Sequence, residues 1–245
     1  QEDPNDEDRN GISPRYNRVP DVITNQKDAI GRFGFKAKHP TLNQQVAAAF
    51  VGDIGITSPM FPNEECTSVQ VGCQKVSKLG HPTGVEIPNK LLTLVNDFSA
   101  YIGVQPARNL ENKTTQKGRS LFYQANCNQC HTPSYVTDSN YPLPELANQK
   151  IWPYTDLALH DMGEGLSDGI TEFKANGQEW RTPPLWGIGL QRKLSSTARF
   201  LHDGRARSIN EAILWHGGEA QQAKRHYINM SKAQRDALLL FIKSI

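Results

Sequence analysis

The chain lacks any apolar run near the ~20 residues that a membrane-spanning helix requires, and no charged start followed by an apolar stretch reads as a secretory signal. It also lacks an excess of either charge. With 27 Lys+Arg against 25 Asp+Glu the net charge is +2, which leaves no basic footprint for nucleic acid. No internal repeat is visible, and no convincing set of alternating strands, so solenoids and sheet-dominated folds give way to a mainly α class. Cysteine and methionine are scarce, at four and three. What remains is ordinary for a soluble globular protein: 37% hydrophobic residues, 21% charged residues and a mean hydropathy of −0.57. A chain of 245 residues has room for one large domain or two small ones.

Two of the four cysteines stand in Cys127-Asn128-Gln129-Cys130-His131. Cys-x-x-Cys-His is the spacing of covalent haem attachment: two thiols reach the two vinyl groups of one porphyrin, and the next residue turns its imidazole onto the iron. Cys127 and Cys130 are the expected thioether donors and His131 the proximal ligand. A structural zinc site would need two further Cys or His at suitable spacing, and the other cysteines lie far upstream. A redox dithiol usually accompanies a βαβ pattern, which is absent. Upstream, Lys117-Gly118-Arg119-Ser120-Leu121-Phe122 predicts a helix capped by Thr114 or Thr115 and running through Leu121, Phe122 and Ala125. In cytochrome c folds, which this stretch resembles, a Gly-x-x-Leu-Phe helix precedes the haem motif, and its glycine lets another helix approach closely.

The remaining pair, Cys66 and Cys73, is expected to form a disulfide without a redox role, since this kind of haem attachment takes place outside the cytoplasm, where disulfides persist. Near the start, Asp6, Asp8, Asn10, Gly11 and Ile12 follow the D-x-[DN]-x-[DN]-G spacing of a calcium loop. Asp6, Asp8 and Asn10 would supply side-chain oxygens and Ile12 a carbonyl. Position twelve is Asn17, so the bidentate closing Glu is missing, and a solvated acidic turn is the competing reading.

Further helices follow from caps and periodicity. Thr41 to Gln44 reads as a capping box before Val46, Ala49 and Phe50. Pro88, at a first-turn position, opens a helix whose Leu91, Leu92, Leu94, Val95, Phe98, Tyr101 and Ile102 share a broad face suited to a core, closed by Gly103 and Pro106. Ser208 to Glu211 and Ser231 to Gln234 are two more capping boxes; the first helix runs to Trp215 and ends at Gly217-Gly218. A domain boundary is expected near Arg108–Lys113, separating a loop-rich and helical region, 1–110, from a cytochrome c-like haem domain with long irregular loops, 111–245.

An electron-transfer haem usually takes a second axial ligand, Met or His, whereas catalysis keeps that position open or displaceable. Met230 suits a hydrophobic staple before Ser231, and Met60 lies in a Pro-flanked loop. Met162, in His160-Asp161-Met162-Gly163, follows the haem motif among loop residues and is the preferred distal ligand, with His160 and His202 as rivals. His39, His81, His216 and His226 are read as structural.

Several stretches resemble a known family: Gly31–Lys36, Asp53–Pro59, Tyr154–Gly163, Glu179–Trp186, Arg199–Arg205 and Leu214–Ala220. They are similar to the di-haem proteins labelled thiol oxidoreductases, within the bacterial di-haem cytochrome c peroxidase and methylamine-dehydrogenase maturase superfamily. The thiol label finds no support, because both motif cysteines are consumed by attachment. The resemblance implies two haem motifs where this chain has one, so the chain looks like the C-terminal part of a longer protein. It also implies a distal Met just before His-Asp-Gly. Leu201 stands there and cannot ligate iron, which leaves Met162 as the substitute. Arg181 and Arg205 flank segments expected to line the haem pocket and are candidates for pairing with a haem propionate, with a surface salt bridge as the competing reading. Trp180, Trp186 and Trp215 are expected in the pocket wall or the core.

These readings converge on a periplasmic, or otherwise extracytoplasmic, c-type cytochrome domain. It would pass single electrons through haem c to a redox partner or second haem domain, as the relay part of a peroxidase-like oxidoreductase. The alternative is peroxidase or oxidase chemistry at this haem itself.

Overall fold

A computed structural model of the chain describes residues 2–76 and 84–245; His81 lies outside them. Two compact units emerge, Asn17–Gly103 and a second made of Gln1–Tyr16 with Val104–Ile245. The division differs from a single boundary near 110, because the N-terminal stretch joins the haem-motif unit. Arg15 and Leu159 exchange backbone hydrogen bonds of 3.3 and 2.8 Å. The Arg15 guanidinium also pairs with Glu179, and the Ser13 hydroxyl donates to Glu219 at 2.6 Å.

Within Asn17–Gly103, β1 (Arg18–Asp21) and β2 (Gln26–Ile30) form an antiparallel hairpin, followed by α1 (Leu42–Ile54), α2 (Val71–Val76) and α3 (Asn89–Ala100). Thr41 caps α1 through the Gln44 N–H as expected, but Gln44 does not complete the box. Its carboxamide is drawn instead to the Pro20 carbonyl and the Val22 N–H. Ala47, Ile87 and Leu92 form a small core joined by Met60 and Phe61, which gives Met60 a packing role. Helix α3 departs from its predicted burial. Leu92 is its one buried residue, and Leu91, Leu94 and Phe98 are exposed, since the helix meets α1 along a narrow stripe. Pro88 is the N-cap rather than the first helical residue. Cys66 and Cys73 are joined as a disulfide, with Cα atoms 5.8 Å apart.

The second unit holds α4 (Lys113–Gln124), β3 (Tyr135–Val136), β4 (Lys150–Ile151), β5 (Leu159–Asp161), β6 (Glu179–Arg181), α5 (Gln191–Leu194), α6 (Ile209–Trp215), α7 (Gln221–Asn229) and α8 (Lys232–Ser244). Pairs β3–β4 and β5–β6 are short antiparallel ladders. Among the described residues helices outweigh strands, as a mainly α class requires. The core is Leu121, Phe122, Tyr154, Leu185, Phe200, Tyr227, Leu238, Phe241 and Ile242. It forms where α4 crosses α8. Gly118 makes the crossing possible: a Cβ there would lie 2.0 Å from the Ala237 carbonyl oxygen. Both arms of the Ser231–Gln234 capping box are made at the start of α8, and Met230, just ahead of it, packs against the core. Ser208 caps α6 through Glu211, whose own carboxylate turns to the Arg207 N–H.

Candidate haem site

Helix α4 delivers the motif. Its cap is Asn112, whose side-chain oxygen accepts from the Thr114 and Thr115 N–H groups, so the helix starts ahead of the threonines expected to cap it. It ends at Ala125. Asn126 then takes a left-handed conformation, φ 63°, that reverses the chain into a 3₁₀ turn over Cys127–Gln129, a conformation asparagine tolerates better than most residues. Burial is the main influence pushing the Cys127 thiol up to about 12, so it stands as a neutral thiol. Neither Cys127 nor Cys130 is in a disulfide.

His131 is oriented from behind. Its Nδ1 lies 2.9 Å from the Tyr154 carbonyl oxygen. An oxygen that can only accept requires the proton on Nδ1, which leaves Nε2 as the lone-pair nitrogen. Burial is the largest influence on the ring and depresses it to about 4, with His216 acting the same way and the Tyr154 hydrogen bond opposing. A neutral imidazole with its outer nitrogen tied to a carbonyl is the form a metal-ligating histidine takes. Tyr154 itself adopts φ 54°, a left-handed backbone that costs a bulky residue about 1–2 kcal/mol. Edge-on packing of its ring on Phe122 and Phe241, with both centroids 5.8 Å away, holds it there. Phe122 also lies 6.4 Å from the His131 ring. The residues present therefore fit a covalently held haem.

Three other histidines fall into distinct roles. His160, on β5, is 2% exposed and has both ring nitrogens on carboxylates, Nε2 on Asp156 at 2.8 Å and Nδ1 on Glu219 at 2.7 Å. With no nitrogen to spare it does not serve as an iron ligand. Burial opposes its charge, but its hydrogen bonds to Asp156, Cys130 and Glu219 outweigh that and hold the ring protonated far above its usual range. His202 is stacked on Trp180, centroids 3.5 Å apart and planes 10° apart, while the Trp180 Nε1–H donates to the Leu166 carbonyl. His216, the C-cap of α6, donates Nδ1–H to the Ala212 carbonyl at 2.7 Å, so its Nε2 also carries the lone pair. Burial is the main influence depressing it, and it is close enough for its charge to bear on His131.

His216, read from the sequence as structural, is followed by Gly217-Gly218, a pair that sits at a tight backbone approach. Met162 stands across that approach: a Cβ on Gly217 would lie 2.9 Å from its carbonyl oxygen. Both arginines make contacts within the chain. Burial lowers the Arg181 pKa, and its Nη1 donates to the Thr182 carbonyl at 3.3 Å. Arg205 pairs with Asp203, donates to the Gly165 carbonyl and lies over the half-exposed Trp215 ring, 4.8 Å from its centroid.

In the N-terminal loop the carboxylates of Asp6 and Asp8 come together with that of Asp3, which the motif spacing did not include, ligand atoms all within 4.8 Å. Asn10 is drawn into the loop itself: its side-chain oxygen accepts the Ile12 N–H at 2.8 Å.

The family model described as "Di-haem oxidoreductase, putative peroxidase" matches residues 2–245. The chain belongs to the di-haem oxidoreductase family. No curated protein and no solved structure matches it. This di-haem oxidoreductase chain carries a single Cys-x-x-Cys-His, and among its described residues no helix is long and apolar enough to cross a membrane.

Proposed function

We propose that this chain is a cytochrome c-like domain of an extracytoplasmic, periplasmic oxidoreductase, relaying single electrons between a donor and a second haem held elsewhere. Bound at Cys127 and Cys130, haem c would supply a one-electron iron couple. The observation that carries the reading is the Nδ1–H of His131 held on the Tyr154 carbonyl, directly behind a Cys-x-x-Cys pair. It keeps Nε2 basic and fixes the plane of the ring. His216 matches it in tautomer and burial, and we assign it as the distal ligand ahead of Met162. A second imidazole favours a closed, six-coordinate relay over peroxide chemistry at this iron. Asn112, Gly118 and the aromatic cluster keep the proximal side rigid. The part-buried Arg181 is the candidate partner for a propionate, because a partly desolvated guanidinium gains more from a carboxylate than a fully hydrated one.

The test is a pyridine haemochrome assay followed by spin-state spectroscopy on the chain matured with haem-attachment machinery. One c-type haem per chain and a low-spin, six-coordinate spectrum are expected. His216→Ala should open the coordination sphere, and Met162→Ala should leave it closed. The reverse result assigns Met162, and a high-spin wild type removes the relay in favour of catalysis at this haem.

A further inference from the structure

His160 has no part in the relay as described, yet it is the most heavily paired group near the site. A buried ion cluster carries a desolvation cost that its own attractions barely offset, and losing one member leaves an uncompensated charge. Its position shows what it joins. Asp156 lies two residues beyond Tyr154, whose carbonyl orients His131, and Glu219 lies three residues beyond His216. Asp156 uses Oδ1 to accept the Ala158 N–H and Oδ2 to accept from His160 Nε2. Glu219 uses Oε2 for His160 Nδ1, while its Oε1 accepts from the Ser13 hydroxyl and the Asp161 N–H. The Cys130 sulfur is 3.5 Å from the same Nδ1. One imidazolium thus clips together the proximal loop, the attachment motif and the turn after α6.

The backbone around it leaves no slack. A Cβ on Gly218 would lie 2.2 Å from the Asp161 carbonyl oxygen, and one on Gly163 would lie 2.9 Å from the Gly218 nitrogen. The turn bearing His216 is docked flush against the end of β5, and the His160–Glu219 bond closes that contact from the side-chain direction.

We propose that His160 is a positioning residue: by pairing with Asp156 and Glu219 at once, it sets the spacing between the loop that orients His131 and the turn that carries His216. This rests on His131 and His216 being the axial pair. His160 acts through Glu219 and touches no reacting atom.

The experiment uses the haem-loaded chain and titrates exogenous imidazole against wild type, His160→Gln, Glu219→Ala, Glu219→Gln and His216→Ala, recording spin state and, separately, thermal unfolding. His216→Ala should be open and bind imidazole readily. His160→Gln and Glu219→Ala should retain haem but admit imidazole at about tenfold lower concentration than wild type, the size of effect a supporting hydrogen bond has on a metal site. Glu219→Gln keeps an acceptor for Nδ1–H and should stay near wild type even if its melting temperature falls, which separates positioning from bulk stability. If His160→Gln fails to mature, the two Glu219 variants decide. Wild-type imidazole affinity in Glu219→Ala, with His216→Ala open, overturns the positioning role alone. An unchanged spectrum in His216→Ala overturns the axial assignment and the positioning role with it.

Discussion

Around the site, the segment carrying Cys127, Cys130 and His131 is placed by regular structure and apolar packing, whereas the turn carrying His216 is placed by ions and glycines. On the first side a capped helix crosses α8 at Gly118 and buries Leu121 and Phe122 against Tyr154 and Phe241. Every element of that arrangement tolerates a change in pH or salt. On the second side there is one short ladder, β5–β6, and beyond it a carboxylate–imidazolium–carboxylate cluster with Gly163, Gly217 and Gly218 in backbone contact. That arrangement depends on charge. On the proposed assignment the difference would suit two jobs: a covalent anchor needs rigidity, and a ligand brought from another part of the chain needs a specific tie to reach its place.

The comparison can be broken most completely by Cys127→Ser with Cys130→Ser, which should abolish covalent haem in the pyridine haemochrome assay; full retention would end the reading of the motif. Phe122→Ala attacks the apolar side. At 1% exposure the ring should cost about 4 kcal/mol in a denaturant titration, with no change in its pH dependence. His160→Gln attacks the ionic side, and here pH is the signature. The folded-state pKa of His160 is raised above its ordinary 6.5, so its stabilisation is complete below that value and is lost as pH rises toward the folded one. Wild type should therefore lose up to about 2 kcal/mol relative to His160→Gln between about pH 6.5 and 8; parallel curves would show that the ring is not charged. Glu219 has the opposite sign. Its pKa is depressed below 4.5, since pairing with His160 and Ser13 outweighs burial, so its share is present above about pH 4.5 and fades on acidification. The smallest effect is Asn112→Ala, where loss of the cap should cost about 1 kcal/mol in thermal unfolding and leave the spin state untouched.

What was legible in the sequence was local. Cys-x-x-Cys-His, Gly118 with Leu121 and Phe122, the Ser231 capping box and the disulfide between Cys66 and Cys73 are each contained in a few consecutive residues, because attachment chemistry, helix periodicity and a short loop all act over that range. At the start of α4, where Asn112 caps in place of Thr114 or Thr115, the competing residues stand two and three positions away, and the choice falls to whichever side chain reaches the free N–H groups. Amphipathic pattern alone also overstated burial in α3, since a broad apolar face does not say how wide a partner it meets.

The rest is tertiary. By itself the sequence determined that this is a mainly helical chain with one Cys-x-x-Cys-His motif. Only the folded structure decided that Gln1–Tyr16 belongs with that motif, that the Tyr154 carbonyl holds the His131 proton, that His160 is consumed by Asp156 and Glu219, and that His216 stands with its Nε2 available. Those facts join residues 23, 59 and 206 positions apart. A hydrogen bond between distant segments leaves no mark on local periodicity, because its partners are chosen by the packing of the whole unit and not by their neighbours in the chain.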